Sequence, residues 1–136
     1  MNAPEVTVAG VAARKILIVD SEQIILDLLK RVLRREGYEV STVRRADEAM
    51  TKICSEAYDV AIAEVDLCRS NGRELTSVAG KASPKTAIIM MTGYPEEGVV
   101  RYARENAQGL LEKPFALEQL LSTVRGALEW RVADAV

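Results

Sequence analysis

Short apolar runs alternate along this chain with segments of helical periodicity, and that alternation limits the fold more than any other feature. KILIV (15–19) is continuously apolar, as a strand buried on both faces must be. Ile24, Ile25, Leu28, Leu29, Val32 and Leu33 then recur at helical spacing, and Gly37 is placed to stop that helix as its C′ residue. YEVSTV (38–43) reads as a second strand. Ala49, Met50, Ile53, Cys54 and Ala57 outline a second helix, opened by the acidic pair Asp47–Glu48. VAIA (60–63) is a third strand running into a polar loop, and residues 73–80 form a short, weak helix. TAIIMM (86–91), between Pro84 and Gly93, is a fourth strand. A helix follows Pro95 through Val99, Val100 and Ala103, then a brief strand GLLE (109–112). Leu117, Leu120, Leu121, Val124 and Leu128 mark a last helix.

Five strands alternating with five helices predict an α/β fold, an open parallel sheet covered by helices on both faces. In such doubly wound sheets the working site lies beyond the carboxyl ends of the strands. The residues expected there are Asp20 and Ser21 after strand one, Glu64 and Asp66 after strand three, Thr92 and Gly93 after strand four, and Lys113 and Pro114 after strand five. Acids, a hydroxyl and a lysine would then face one crevice.

Composition narrows the chemistry. The 136 residues fit one domain, 49% hydrophobic and 28% charged. A net charge of −2 with both signs interspersed gives no basic footprint for nucleic acid. The pairs Lys30–Arg31, Arg34–Arg35 and Arg44–Arg45 read as a solvated face. With no histidine, and with Cys54 and Cys68 at no metal-type spacing, zinc sites and histidine-based acid–base catalysis are excluded. VDSEQI after strand one has no glycine-rich phosphate loop. Residues 1–14 carry no positive charge ahead of their apolar run, so they are expected to be a flexible arm rather than a signal peptide. No run approaches the ~20 apolar residues of a membrane span. The expectation is a cytoplasmic protein with reduced thiols, a domain over 15–130 and a tail over 131–136.

ILIVD at strand one, YDVAIAE at strand three, NG at 71–72, MMTG at 90–93 and EKPF at 112–115 together resemble the receiver domain of bacterial response regulators, the phosphoacceptor module of two-component signalling. The resemblance covers residues 15 to about 130. It implies a flavodoxin-like sheet of strand order 2-1-3-4-5, and an aspartate after strand three that takes a phosphoryl group. It also implies a magnesium ion held by that aspartate and by acids after strand one. Asp20 matches the first of those acids, Thr92 the hydroxyl and Lys113 the lysine that bind phosphoryl oxygens. Gly93 matches the small residue beside them, and Lys113–Pro114 a bond that is cis in the family.

Several positions depart from the pattern. Ser21 stands where a second acid, the direct metal ligand, is usual. Glu64 stands at the phosphoacceptor position, eight residues before Gly72. Asp66 matches the loop residue whose backbone carbonyl meets the metal. Cys68 replaces a loop proline, and Leu110 an aromatic switch residue three before the lysine.

These changes predict weak or absent magnesium binding at Asp20, Glu64 and the Asp66 carbonyl. A charge pair ~4 Å apart is worth roughly 4 kcal/mol at an effective dielectric near 20, so a missing carboxylate matters. Glu64 carries its carboxylate one methylene further out, and a misplacement of about 1 Å can cost on the order of 10²-fold. Its extra length puts it within reach of Lys113 and Thr92, mimicking a phosphoryl group in part, with one charge against roughly −1.5 to −2.

The reading is therefore a pseudo-receiver: not an enzyme, acting by protein contact and without phosphorylation. Its partner, a histidine kinase or an effector, would dock on residues 95–130, where Tyr102 and Trp130 contribute or pack at element ends; a homodimer is a further option. Two alternatives stand beside it: a working phosphoacceptor using Glu64 or Asp66 with magnesium, and a flavodoxin-like binder of a nucleotide or other cofactor. Simpler roles are assigned as well: Ser21 as N-cap of the first helix, Asp66 as a solvated loop acid, Cys54 as core packing and Cys68 as a loop thiol.

Overall fold

The computed structural model describes residues 13–69 and 74–134. Most of the N-terminal arm, and the Asn71–Gly72 pair, lie outside the described residues. Five strands form one parallel sheet: β1 (Lys15–Val19), β2 (Glu39–Val43), β3 (Val60–Glu64), β4 (Ala87–Thr92) and β5 (Gly109–Glu112). Their order is β2-β1-β3-β4-β5. The register runs through Val19 opposite Val43 and Ala63, Glu64 opposite Met91, and Thr92 opposite Glu112. This ladder brings the ends of the central strands level, which is what makes a shared crevice there.

Among the described residues six helices occur: α1 (Gln23–Arg35), α2 (Ala46–Ser55), α3 (Val65–Cys68), α4 (Leu75–Ala82), α5 (Glu97–Asn106) and α6 (Leu117–Asp134). Alternate strand residues serve opposite faces. Ile16, Ile18, Ile62, Ile89, Met91 and Leu111 pack with Leu26, Leu33 and Leu120 under α1 and α6. Leu17, Val19, Ala61, Ala63, Ile88 and Met90 pack with Ile53, Leu75 and Ala103 under α2, α4 and α5. Both faces are covered, which explains why these strands read as unbroken apolar runs. Gly37 ends α1 at φ 93°, its amide donating to the Arg34 carbonyl at 3.0 Å, as its C′ placement requires.

Several expectations need correction. Residues 65–68, read as polar loop, form a helical turn because Val65 and Cys68, three apart, both fold onto the core. Cys68 is accordingly a buried thiol, 3.9 Å from the Ala63 carbonyl that accepts from it, and not a loop thiol. Cys54 is exposed rather than packed, since the inner face of α2 is Ala46, Ala49, Met50 and Ile53 and the next residue turns outward. Ala57 lies beyond the end of α2 and is exposed. Ile24 and Leu28 share the helical period of α1 but lie on its outer side, 80% and 54% exposed. Ser21 does not cap α1; the helix starts at Gln23, with Glu22 as the extended residue before it and no side-chain capping bond. The first orphan amide in this turn, that of Glu22, is taken instead by the Asp20 carboxylate at 2.8 Å.

Candidate functional site

Asp20 follows β1 fully buried, and Glu64 ends β3 half-buried. Lys113 follows β5 and projects between them. Its ammonium donates to Asp20 Oδ2 at 2.7 Å and to Glu64 Oε2 at 3.2 Å. Its backbone amide donates to the Thr92 carbonyl at 2.7 Å, which ties the end of β5 to the end of β4. The Lys113–Pro114 peptide bond is cis. Thr92 is buried, and its Oγ1 accepts the amide of Tyr94 at 3.0 Å; among the described residues it makes no hydrogen bond to Glu64.

Above these groups lies a cleft of about 440 Å³. Ser21, Glu22, Glu64, Asp66, Thr92, Gly93 and Lys113 line it, with Tyr94 on the rim. A Cβ added to Gly93 would meet nothing within 4 Å, so this stretch of wall is open. Asp66 is exposed on α3, not on a loop. Leu110 does not line the cleft; it packs half-buried against the cluster under α2, α4 and α5. Tyr102 packs against the same cluster, its ring 4.8 Å from the Arg69 guanidinium, and Trp130 packs against the cluster under α1 and α6.

The electrostatics follow from this crowding. Burial, and then the neighbouring Asp20 charge, push the Glu64 carboxyl above the ordinary carboxylate range, against the opposing pull of Lys113. Burial alone would lower the Lys113 ammonium, but the hydrogen bond and charge of Asp20, with Glu64 behind them, outweigh it and raise its pKa. The buried Cys68 thiol is pushed up to about 12, chiefly by desolvation.

The carboxylates here suit a hard cation. Oxygens of Asp20, Glu22 and Glu64 lie within 4.8 Å of one another, an all-oxygen set of the kind magnesium prefers. Glu22 had no place among the residues picked from sequence. Its signal was the acid next to Ser21, but a helix capped by Ser21 would have carried Glu22 into its first turn. Arg44, also missed, donates twice to the Ser21 carbonyl, at 2.9 and 3.1 Å, and so holds this turn from the β2 side.

A parallel sheet of order 2-1-3-4-5 with two acids, a hydroxyl and a lysine at the carboxyl ends of its strands defines a receiver-type signalling module. The profile of the response regulator receiver domain matches residues 16–125, and the chain belongs to that family. It is 32% identical, over 86% of its length, to the nitrogen assimilation regulatory protein NtrX of Azorhizobium caulinodans, and spans 26% of that protein. Against the alkaline phosphatase synthesis transcriptional regulatory protein PhoP of Bacillus subtilis, identity is 31% over 85% of the chain and 48% of the relative. The chain thus spans less than half the length of either curated relative. Among solved structures, a CheY-like receiver domain protein from Methanospirillum hungatei superposes with a TM-score of 0.79 at 30% identity, covering 90% of this chain and 99% of that one. Receiver domains are signalling modules. Among the described residues no helix is long and apolar enough to cross a membrane.

Proposed function

We propose that this chain is a pseudo-receiver, a two-component signalling module that works through protein contacts and without phosphorylation at position 64. The observation carrying this reading is the Glu64 carboxylate itself, at the phosphoacceptor position and bound by Lys113 at 3.2 Å. In the family that lysine serves the incoming phosphoryl oxygens; here it already holds a side-chain anion from the strand end.

Glu64 is the wrong length for in-line attack, where about 1 Å of misplacement costs on the order of 10²-fold. Asp20 and Glu64 orient the lysine, and Thr92 presents its hydroxyl beside them. Leu110 has no hydroxyl or ring with which to report a movement of Thr92 to the outer surface. Asp20, Glu64 and the Asp66 carbonyl would hold a magnesium ion only weakly, since Ser21 supplies no direct carboxylate ligand. When bound, that ion neutralises charge on phosphoryl oxygens. The α5–β5–α6 surface, residues 95–130, is the proposed contact for a histidine kinase or an effector.

A second reading rests on Asp66, whose exposed carboxylate lines the same cleft and would take the phosphoryl group after a rearrangement of α3. Incubation with acetyl phosphate and magnesium, followed by intact mass and peptide mapping, separates the two. The unphosphorylated reading expects no adduct on the wild type, and an adduct once Glu64→Asp and Ser21→Asp are combined. A phosphoryl group mapped to Glu64 or Asp66 of the wild type would overturn it.

A further inference from the structure

Leu110 gives β5 no ring with which to report on the cleft, yet an aromatic side chain stands on the neighbouring helix at Tyr102. We infer that Tyr102 is the movable reporter of this chain, clamped by Arg69, and that the pair carries the state of the cleft to α5. The inference deepens the proposed signalling reading and rests on it.

The element that would move is lightly held. Within α5 only Ala103 is buried, and Val99 and Tyr102 add partial contacts with the cluster under α2, α4 and α5. A helix with so little buried apolar surface separates from its sheet at low cost. Val99 lines the cleft, and Tyr102 lies three residues further on the same side of the helix. Arg69 reaches the tyrosine from the cleft as well. It follows α3, the single turn that begins directly after Glu64, and its guanidinium lies 4.8 Å from the centre of the Tyr102 ring. Val65 and Asp66 line the cleft, while Val65 and Cys68 anchor the turn in the core. A shift at Glu64 is thus passed along α3 to Arg69, and from Arg69 to α5.

Tyr102 has a physical reason to occupy two positions. Its hydroxyl is buried, as is that of Thr76 on α4, and neither has a hydrogen-bond partner among the described residues. A buried hydroxyl without a partner favours release to water, whereas ring burial and the guanidinium favour retention. These contributions are of the same order, so a small displacement of Arg69 decides between them. The cleft supplies one: the Asp66 carboxylate, in the first turn of α3, repels that of Glu64. Charge at position 64 therefore bears on where α3 and Arg69 sit. Arg69 is a positioning residue, acting on α5 only through the ring.

The test is the rate of nitration of Tyr102 by tetranitromethane, mapped by peptide mass and read without any phosphodonor. It is run in the Cys54→Ser background, because the reagent also oxidises exposed thiols. Exposed Tyr94 and buried Tyr58 are the internal references. Tyr102 should react more slowly than Tyr94 and faster than Tyr58. Arg69→Met should speed Tyr102 roughly two- to fivefold, as loss of an exposed cation–π contact requires, and leave Tyr94 unchanged. Glu64→Gln removes the repulsion on α3; it should slow Tyr102 roughly twofold when Arg69 is present and have no effect in Arg69→Met. Tyr102→Phe, which keeps the ring and deletes the unpartnered hydroxyl, should unfold in urea at no lower midpoint than the wild type. Nitration of Tyr102 no faster than that of Tyr58 would mean that the ring leaves only on unfolding, and would overturn the inference. So would an equal response to Glu64→Gln with and without Arg69, or a clear loss of stability in Tyr102→Phe. A phosphoryl adduct on the wild type, by contrast, would overturn the unphosphorylated reading and leave the clamp standing.

Discussion

Lys113 and Asp20, 93 residues apart in sequence, meet at 2.7 Å at the carboxyl end of the sheet, and Asp20 is fully buried. A buried carboxylate whose cation is removed keeps its desolvation cost and loses what offsets it. Lys113→Met should therefore destabilise the protein by about 3 kcal/mol, the low end for breaking a buried pair, because the lysine retains 18% exposure. In urea unfolding, Asp20→Asn should recover part of this loss in the double variant. Strict additivity of the two single changes would show that the pair is not energetically coupled.

Glu64 gives a prediction of opposite sign. Its carboxyl pKa is raised in the fold by burial and by Asp20, so folding shifts its titration toward the neutral form relative to the unfolded chain. A raised folded pKa contributes stability that is full below the unfolded value, about 4.3, and is lost as pH rises through the folded value. Glu64→Gln should thus be as stable as the wild type or more so at pH 7. That advantage should vanish in acid, where Glu64 is protonated anyway. Thermal melts of both proteins from pH 4 to 8 check this; a variant less stable at every pH would refute it.

The two thiols should separate cleanly. Cys54 is exposed on α2, and Cys68 is buried with its pKa pushed up to about 12. Since the thiolate is the reactive form, Ellman's reagent should modify Cys54 rapidly and Cys68 only on unfolding. In the native Cys54→Ser variant, the fast phase should disappear.

Gly109, at the start of β5, sits against α6. A Cβ there would lie 2.9 Å from Thr123 Cγ2 and 3.4 Å from Ile89 Cγ1. The threonine cannot simply rotate away, because its hydroxyl donates to the Gln119 carbonyl at 2.7 Å. Gly109→Ala should cost about 1–3 kcal/mol through overpacking. Adding Thr123→Ser, which deletes the offending methyl and keeps the hydroxyl, should return most of it; equal loss in the double variant would place the strain elsewhere.

The convergence of Asp20, Glu64, Thr92 and Lys113 was legible because the central strands are buried on both faces and run into polar residues, whereas the strand order was implied only by the resemblance to receiver domains. Unbroken apolar runs report burial on both faces, so KILIV and TAIIMM were readable to within a residue. The helix start at Gln23 was not. Ser21 has the intrinsic preference of a cap, but Asp20 already satisfies the amide of Glu22, and Arg44 holds the Ser21 carbonyl from 23 residues away. Local propensity contains neither contact. Cys54 and Cys68 failed for a related reason: one residue of rotation separates Cys54 from Ile53, and only the packing of the α3 turn decides that Cys68 points inward. Ile24 and Leu28 show the limit of periodicity on α1, where seven apolar residues span more of the helix than the sheet can cover.

The position of β1 between β2 and β3 also bears on how the chain is made. Its partner residues on β2 lie 24 positions downstream, as Ile16 with Val40, while those on β3 lie 44 downstream, as Ile16 with Val60. A chain emerging from the ribosome completes the β1–α1–β2 unit first and then carries β1 with one edge of backbone amides and carbonyls unpaired. That edge closes only when β3 arrives. The stretch of synthesis between residues 43 and 60 therefore leaves β1 open to strand pairing with another nascent chain.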